Sequence, residues 1–491
     1  MHAVEPGTTD PTRDDPALAP LLEHDARIAR LGARVRILSG LAWPVEHELR
    51  FLERWRAGRV EMPAPPTAPV DHATTIEALD AIRCELDRGH PVGDWLYRTA
   101  WSYRVAALML SAIGTPRFTE CSTLLYGRPS THYRSQDTTT LESAAKMLEI
   151  TDQLIDARFI PEVPYDIPAP LFAERLRERI GPFFTDDPVE VVLDPQLASK
   201  AAAGSRVIRL RADALFSALD LDQLVEHEAY IHSLTMLNGK RQPWLRCLGA
   251  GAPRTTRTQE GLATFAEIIT GAMDINRLRR LALRVLRLEE ALAGADFIEV
   301  FRAFLAAGQS DVESYRSAVR IFRGGDVRGR VCFTKDGAYL EGLLLVTAFI
   351  KRALHENRAD TLRLRSAGGW RWATWWRCRP AATAAWSRPR ITCRRGRAIR
   401  NGCWRRWRSP PRPRPCAWTR SPSTVSPSTR RRRWTRRRGR HRLLCRSRLI
   451  GDPRALDGRA HRAGRCVGSP MRMGSYIEGG RGPANGHIAS L

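Results

Sequence analysis

The chain has 491 residues, and its 79 Lys and Arg outnumber its 52 Asp and Glu, which makes the net charge +27. Such an excess is typical of proteins that bind nucleic acid. It is confined to one end, however. Residues 366–491 contain 32 Arg, no Lys and three acidic residues, whereas residues 1–365 contain 47 basic and 49 acidic residues. The charge therefore does not predict a nucleic-acid-binding fold for residues 1–365.

The remaining composition of residues 1–365 excludes several other classes. Their four cysteines are scattered, with no Cys-x-x-Cys pair, which argues against a disulfide framework and a thiolate zinc site. Residues 1–20 are acidic and Pro-rich, so we predict a disordered N-terminus and no signal peptide. The longest apolar run, GLLLVTAFI at 342–350, is too short to span a membrane. We therefore expect a cytoplasmic protein with no membrane partner; the sequence carries no indication of its oligomeric state.

Helical periodicity dominates residues 21–160, which we predict to form a helical N-terminal region. Residues 21–57 predict two amphipathic helices broken near Trp43-Pro44, and residues 72–112 and 138–156 predict further helices. The Pro-rich segment PEVPYDIPAP at 161–170 then predicts a joint to the next region.

The pattern changes after a helix predicted at about 170–180. VEVVLD (189–194) and RVIRLR (206–211) are rich in β-branched residues and predict two short strands. A capping box that begins at Ser217 predicts the start of a helix, which we expect to end at Asn238-Gly239. Zinc peptidase cores have this order of strands and a His-Glu helix. We therefore predict an α+β fold, mostly helical, in which residues 161–365 form a zincin-like metallopeptidase core with short strands before the active-site helix.

The predicted helix carries His227, Glu228 and His232 in the pattern HExxxH. Residues five apart lie about 140° apart around an α-helix, against about 40° for residues four apart, so the two imidazoles would face different sides. A single-turn π-bulge between Glu228 and His232 would bring them to one side. On spacing alone, however, two histidines in a helix are more often a packed or solvated pair than metal ligands.

A second motif, TQEGLATFAE at 258–267, adds carboxylates to the histidines. Glu260 and Glu267 are seven residues apart and share a helical face. The glycine at 261 leaves room for the close approach of another helix. Catalytic zinc needs three protein ligands and one open position, and two His with one Glu is a known set. Glu260 is the first choice for the third ligand and Glu267 the second, although carboxylates on helices are more often simply solvated.

The combination of motifs resembles the QEGLA-motif family. HExxxH, LNGKRQP, TQEGLA, VFRAFLAAGQS, RIFRGG and FTKDGAYLEG occur here in the family's order, and the resemblance extends from about Ala26 to about Leu364. The family includes bacterial proteins described as flavohaemoglobin expression modulators and the microtubule-associated tyrosine carboxypeptidases of animals. The resemblance implies Zn²⁺ as the cofactor, held by His227, His232 and Glu260, with Glu228 as the catalytic acid/base.

A carboxypeptidase also needs a cation for the terminal carboxylate of its substrate and a donor for the oxyanion. FTKDGAYLEG offers Lys335 and Tyr339, and RIFRGG offers Arg320 and Arg323. We predict that Lys335, Arg320 and Arg323 bind the substrate and that Tyr339 is catalytic. We expect Asp336 to orient Lys335 or a ligand. The alternative for each is an ordinary surface charge or a tyrosine at the edge of the core.

The predicted function is that of a zinc-dependent peptidase, most simply a carboxypeptidase that removes the last residue of a peptide or protein by metal-activated attack of water. The alternative is a non-catalytic regulatory protein of the QEGLA family, a modulator of flavohaemoglobin expression. Glu228 beside an intact ligand set favours the enzyme, because a site without catalysis has no need of its base. No specific nucleic-acid partner is expected.

Residues 366–491 differ from the rest of the chain. They hold six of the ten Cys and nine of the fourteen Trp, with no sustained apolar period. Arg, Pro, Trp and Cys without Lys is typical of a GC-rich coding sequence read in the wrong frame. We hypothesise that the chain leaves its natural frame near Arg365, and we predict a disordered tail. A genuine extension and an RNA-binding arm are the alternatives.

The hypothesis about the tail predicts a property of the gene. Reading the gene one nucleotide over from about codon 365 should restore an amphipathic helical sequence that continues the preceding pattern. Sequencing this stretch in the source DNA tests the prediction. Early stop codons or the absence of any apolar period in both alternative frames would contradict it.

Overall fold

The computed structural model describes residues 16–132, 138–157, 163–197, 199–242 and 244–358. The tail at 366–491 and most of the predicted disordered N-terminus lie outside these residues. The described helices include none with the length and apolar character that crossing a membrane requires.

The described part of the predicted N-terminal region is helical. Its helices are α1 (Leu18–Gly32), α2 (Ile37–Gly40), α3 (Val45–Arg56), α4 (Ala73–Glu85), α5 (Pro91–Ser111), α6 (Pro116–Tyr126) and α7 (Thr140–Asp156). The predicted break near Trp43-Pro44 is confirmed, since Pro44 immediately precedes α3 with an extended ψ of 149°. α6 was not predicted, although Pro116 at its first position is a recognisable start signal.

Short strands precede the next helices. They are β1 (Ile167–Pro168), β2 (Glu190–Asp194), β3 (Ala201–Ala203), β4 (Val207–Arg211) and β5 (Leu215–Phe216). β4 lies between β2, which is parallel to it, and β3, which is antiparallel. β1 pairs with β5. The two predicted strands are confirmed to within one residue as β2 and β4, whereas β1, β3 and β5 are too short to show an alternating pattern.

Helices and short turns make up the rest of the described chain. They are α8 (Ala169–Ile180), α9 (Ala218–Leu224), a π-helix (Val225–Ser233), α10 (Leu234–Lys240), α11 (Thr256–Thr270), α12 (Ile275–Ala293), α13 (Phe297–Ala306), α14 (Asp311–Phe322) and α15 (Gly337–His355). Single 3₁₀ turns occupy Arg246–Gly249, Pro253–Thr255 and Thr334–Asp336. The predicted helix at 170–180 is α8, and the prediction of a mostly helical α+β fold is confirmed.

Separate hydrophobic clusters support these elements. One joins α1, α4, α5 and α6 around Trp95 and Phe118. A second joins α3 to α12, α13 and α14. A third packs α8 against the strands and the π-helix, with the rings of Phe172 and Phe216 stacked 4.0 Å apart. The π-helix therefore packs against the sheet, and this packing holds the backbone of the π-helix in place.

α11 and α15 approach each other backbone to backbone. A Cβ at Gly261 would lie 2.2 Å from the carbonyl carbon of Gly342, so a side chain at Gly261 is excluded. The close approach predicted for this glycine is confirmed. It brings Glu260, the preceding residue of α11, next to the turn at the start of α15.

This contact predicts the effect of Gly261→Ala. Alanine is favoured over glycine in a helix by about 1 kcal/mol, yet overpacking a close contact costs about 1–3 kcal/mol. We therefore expect the variant to unfold at a lower urea concentration than the wild type. Gly251→Ala is the control, because a Cβ there would meet nothing within 4 Å. Equal stability of Gly261→Ala and the wild type would contradict the contact.

Candidate metal centre

The helix that carries the two histidines changes from an α-helix to a π-helix at Val225 and back to an α-helix at Leu234. Ser217 caps α9, with its hydroxyl accepting from the N–H of Asp220 at 3.3 Å and its own N–H donating to the Asp220 carboxylate at 2.7 Å, as the capping box predicts. The π-helix that follows is nine residues long, longer than the single-turn bulge we expected. Its i→i+5 bonding places residues five apart on one side. The rings of His227 and His232 consequently lie 4.8 Å apart.

The two imidazoles face one carboxylate oxygen. Nε2 of His227 and Nε2 of His232 each lie 3.6 Å from Oε2 of Glu260, and the three potential ligand atoms lie within 4.8 Å of one another. Tetrahedral ligands about 2.1 Å from zinc are about 3.4 Å apart. Glu260 Oε2 is buried and has no hydrogen-bond partner among the described residues. A divalent cation between these atoms would fit the spacing and satisfy that oxygen.

Glu267 lies on the other side of the His227 ring. Its Oε1 is 2.5 Å from Nδ1 of His227, and its carboxylate is fully buried. Arg277 of α12 donates to both oxygens of Glu267, and Gln223 donates at 3.3 Å. A carboxylate on one ring nitrogen directs the other towards a metal. Glu267 therefore orients the His227 ring. Because it contacts Nδ1 and not Nε2, its position does not suit the role of third ligand, for which it was the second choice.

The carboxylates also control the charge of His227. Burial lowers the pKa of this imidazole, but the neighbouring carboxylates of Glu260 and Glu267 outweigh burial and raise the pKa to about 10. A cation that binds at Nε2 must therefore displace a proton, as is common for histidine ligands.

Lys335 holds the other oxygen of Glu260. Its Nζ donates to Glu260 Oε1 at 2.7 Å and to the hydroxyl of Tyr339 at 3.3 Å. Burial opposes ionisation of Glu260, but Lys335 and the two histidines hold the pKa of this carboxyl well below its ordinary value. Glu260 is therefore an anion with one oxygen bound to Lys335 and the other directed at the histidines.

Arg320 and Arg323 have different surroundings. Arg320 donates two bonds to Asp336, at 2.6 and 2.7 Å. Asp336 thus holds Arg320, whereas Lys335, its expected partner, binds Glu260. Arg323 is only 7% exposed, and its Nε has no hydrogen-bond partner among the described residues. Burial and the neighbouring Arg320 lower the pKa of Arg323 to about 10.

Glu228 follows His227 in the π-helix and is half-buried. Within the part of the chain that the structure describes, its carboxylate has no hydrogen bond or ion pair, in contrast to Glu260 and Glu267. Its charge contributes to the raised pKa of His227, so it lies close to the candidate metal ligands.

Comparison with known proteins adds an independent finding. A family model described as microtubule-associated tyrosine carboxypeptidase matches residues 51–371. The matched range includes every residue that the sequence predicted for the site. No curated protein matches the chain.

The contact between Glu267 and His227 predicts a change in metal affinity. Loss of a carboxylate that orients a ligand typically costs 10–100-fold in affinity, so Glu267→Gln should weaken zinc binding by about that factor. Competition with a chromophoric chelator measures it. Glu149→Gln, which alters an exposed ion pair with Lys146, is the control and should bind zinc as the wild type does. Unchanged affinity in Glu267→Gln would contradict the orienting role.

Proposed function

The chain belongs to the microtubule-associated tyrosine carboxypeptidase family, and we propose that it is a zinc-dependent carboxypeptidase that removes the last residue of a peptide or protein. The observation that carries the proposal is the buried, unpartnered Oε2 of Glu260, 3.6 Å from Nε2 of both His227 and His232. Two His and one Glu that leave a position open are a known ligand set for catalytic zinc. These three residues are accordingly the proposed ligands.

Glu228 is the proposed acid/base. When bound, Zn²⁺ supplies Lewis acidity, which polarises the scissile carbonyl and makes water acidic enough to attack near neutral pH. Glu228 takes a proton as the water oxygen bonds to the carbonyl carbon. It then delivers that proton to the nitrogen of the leaving residue as the C–N bond breaks. Glu228 has no ion pair within the described ranges of the chain, which supports this role.

Tyr339 is the proposed donor to the oxyanion. Its hydroxyl accepts a hydrogen bond from Lys335 at 3.3 Å, and Nζ of Lys335 lies 4.8 Å from the centre of its ring. The guanidinium of Arg320 lies 5.9 Å from the same ring. A hydroxyl held among cations donates more readily to a developing negative charge, and such fixed donors stabilise the transition state of acyl transfer.

The terminal carboxylate of the substrate requires positive charge. Lys335, Arg320 and Arg323 are the proposed substrate-binding residues, but their existing contacts differ. Lys335 and Arg320 are already bound to Glu260 and Asp336, so each offers the substrate only its remaining N–H groups. Arg323 has no carboxylate partner among the described residues, which leaves its guanidinium available for direct contact.

The alternative, a non-catalytic regulator of flavohaemoglobin expression, stays a prediction. No feature of the described site favours it over the enzyme. In particular, Glu228 has no hydrogen bond or ion pair with any residue that the structure describes, so no structural role explains its place beside the proposed ligands.

Glu228→Gln tests the proposed reaction. The substitution removes proton transfer and leaves the three ligands in place. We expect zinc content to be unchanged and turnover to fall by at least about 100-fold, the lower range for general acid–base catalysis. Mass spectrometry of peptides with varied C-terminal residues measures the release of the last residue.

Glu226→Gln is the matched control for this experiment. Glu226 is also a half-buried carboxylate of the π-helix, but it is placed in no part of the proposed machinery, so the variant should keep its activity. If the wild-type protein loaded with zinc releases no C-terminal residue from any peptide, the proposed function is wrong. Equal turnover by Glu228→Gln and the wild type would assign Glu228 another role.

A further inference from the structure

A small cavity of about 70 Å³ lies between the start of α3, the connection from β2 to β3 and α14. Trp43, Arg211, Tyr315, Arg316, Arg320 and Arg323 are among the residues that line it. The proposed metal ligands His227, His232 and Glu260 do not line it. The cavity is therefore a separate feature, linked to the proposed active site through Arg320 and Arg323.

Four hydrogen-bond donors of the cavity wall have no hydrogen-bond partner among the described residues. One of them, Nε of Arg211, lies 3.0 Å from the Asp213 carboxylate, which leaves three. They are Nε1 of Trp43, the hydroxyl of Tyr315 and Nε of Arg323. The three residues are 8%, 2% and 7% exposed, so water does not readily satisfy these groups. A buried donor without an acceptor destabilises the folded state. Three such donors around one small cavity indicate that an acceptor belongs in it.

The charges of the wall indicate that this acceptor is an anion. Arg316 binds Glu48 through two 2.7 Å bonds and lies 3.3 Å from Asp213. Arg211 lies 3.0 Å from Asp213, so Arg211 and Arg316 together neutralise these two carboxylates within the wall. Arg320 is likewise neutralised by Asp336. Among the described residues Arg323 has no hydrogen bond or ion pair to a carboxylate, and only the more distant charge of Asp336 compensates it. A buried charge without a close partner is costly.

The unpartnered donors are also held in fixed positions. The Trp43 ring stacks on Phe297 with their centroids 6.0 Å apart. The Tyr315 ring lies 5.0 Å from that of Phe51, and the guanidinium of Arg323 lies 5.2 Å from the Phe333 ring. Because core aromatic residues fix these side chains, little conformational freedom would be lost when a ligand binds.

We propose that this cavity is an oxyanion site in which Trp43, Tyr315 and Arg323 donate hydrogen bonds to one carboxylate or phosphate group. Its volume of about 70 Å³ can accommodate a carboxylate or phosphate group. The group has two possible sources, namely the terminal carboxylate of a peptide and free inorganic phosphate. The peptide source rests on the proposed function, whereas the phosphate source does not.

Thermal unfolding of the metal-free, full-length chain tests the site independently of catalysis. Inorganic phosphate and acetate, each titrated against chloride at equal ionic strength, should raise the Tm of the wild type. Tyr315→Phe removes one donor to a charged group and should weaken the apparent affinity by about 10- to 100-fold. Trp43→Phe should act in the same direction.

Trp55→Phe is the matched control. Trp55 belongs to α3 and packs on Phe301, but it does not line the cavity, so its variant should respond to the anions as the wild type does. An anion that stabilises the wild type and Tyr315→Phe equally would overturn the proposal, because it would bind elsewhere.

Peptide kinetics distinguish the two sources. If the substrate supplies the group, Tyr315→Phe should raise KM by about 10- to 100-fold at nearly constant kcat, and phosphate should compete with the peptide. If free phosphate is the ligand, phosphate should stabilise the wild type while Tyr315→Phe leaves KM unchanged. The absence of both effects would overturn the proposal. A chain that cleaves no peptide would remove the proposed function and leave the phosphate test intact.

Discussion

The buried carboxylate of Glu260 is the group on which the site depends. An ionised carboxylate in the interior is costly unless it is paired, and Lys335 pairs with only one of its oxygens. The other oxygen faces two imidazoles and has no hydrogen bond among the described residues. Three segments must meet for this arrangement: the π-helix, α11 and the turn before α15. The close contact at Gly261 brings α11 next to α15. The π-helix is held in place by its packing against the sheet.

Around this centre, carboxylates and cations alternate outward from the ligands. Glu267 stands between His227 and Arg277, and Asp336 holds Arg320. Such pairs fix side chains that would otherwise be free to rotate, which is the usual role of groups behind metal ligands. Two groups depart from the pattern. Among the described residues, neither Glu228 nor Arg323 has a hydrogen bond or ion pair to an oppositely charged side chain. In the proposed reaction Glu228 transfers protons and Arg323 binds the carboxylate of the substrate.

Much of this arrangement could be predicted from local sequence signals. The Ser217 capping box, the two longer strands and the close approach at Gly261 depend on neighbouring residues, and each is confirmed. The full length of the π-helix could not be predicted, since helical periodicity assumes 3.6 residues per turn. Spacing placed Glu267 on the correct face but could not specify which nitrogen of His227 it meets. The cavity was also missed, because Trp43 and Tyr315 come together only in the tertiary structure.

X-ray absorption at the zinc edge of the zinc-loaded, full-length chain tests the central interaction most directly. It should show two imidazole nitrogens and at least one carboxylate oxygen around zinc at about 2.0–2.2 Å. In His232→Ala one imidazole should disappear from the spectrum. A chain that retains no zinc, or a zinc environment without imidazole, would contradict the proposed centre of His227, His232 and Glu260.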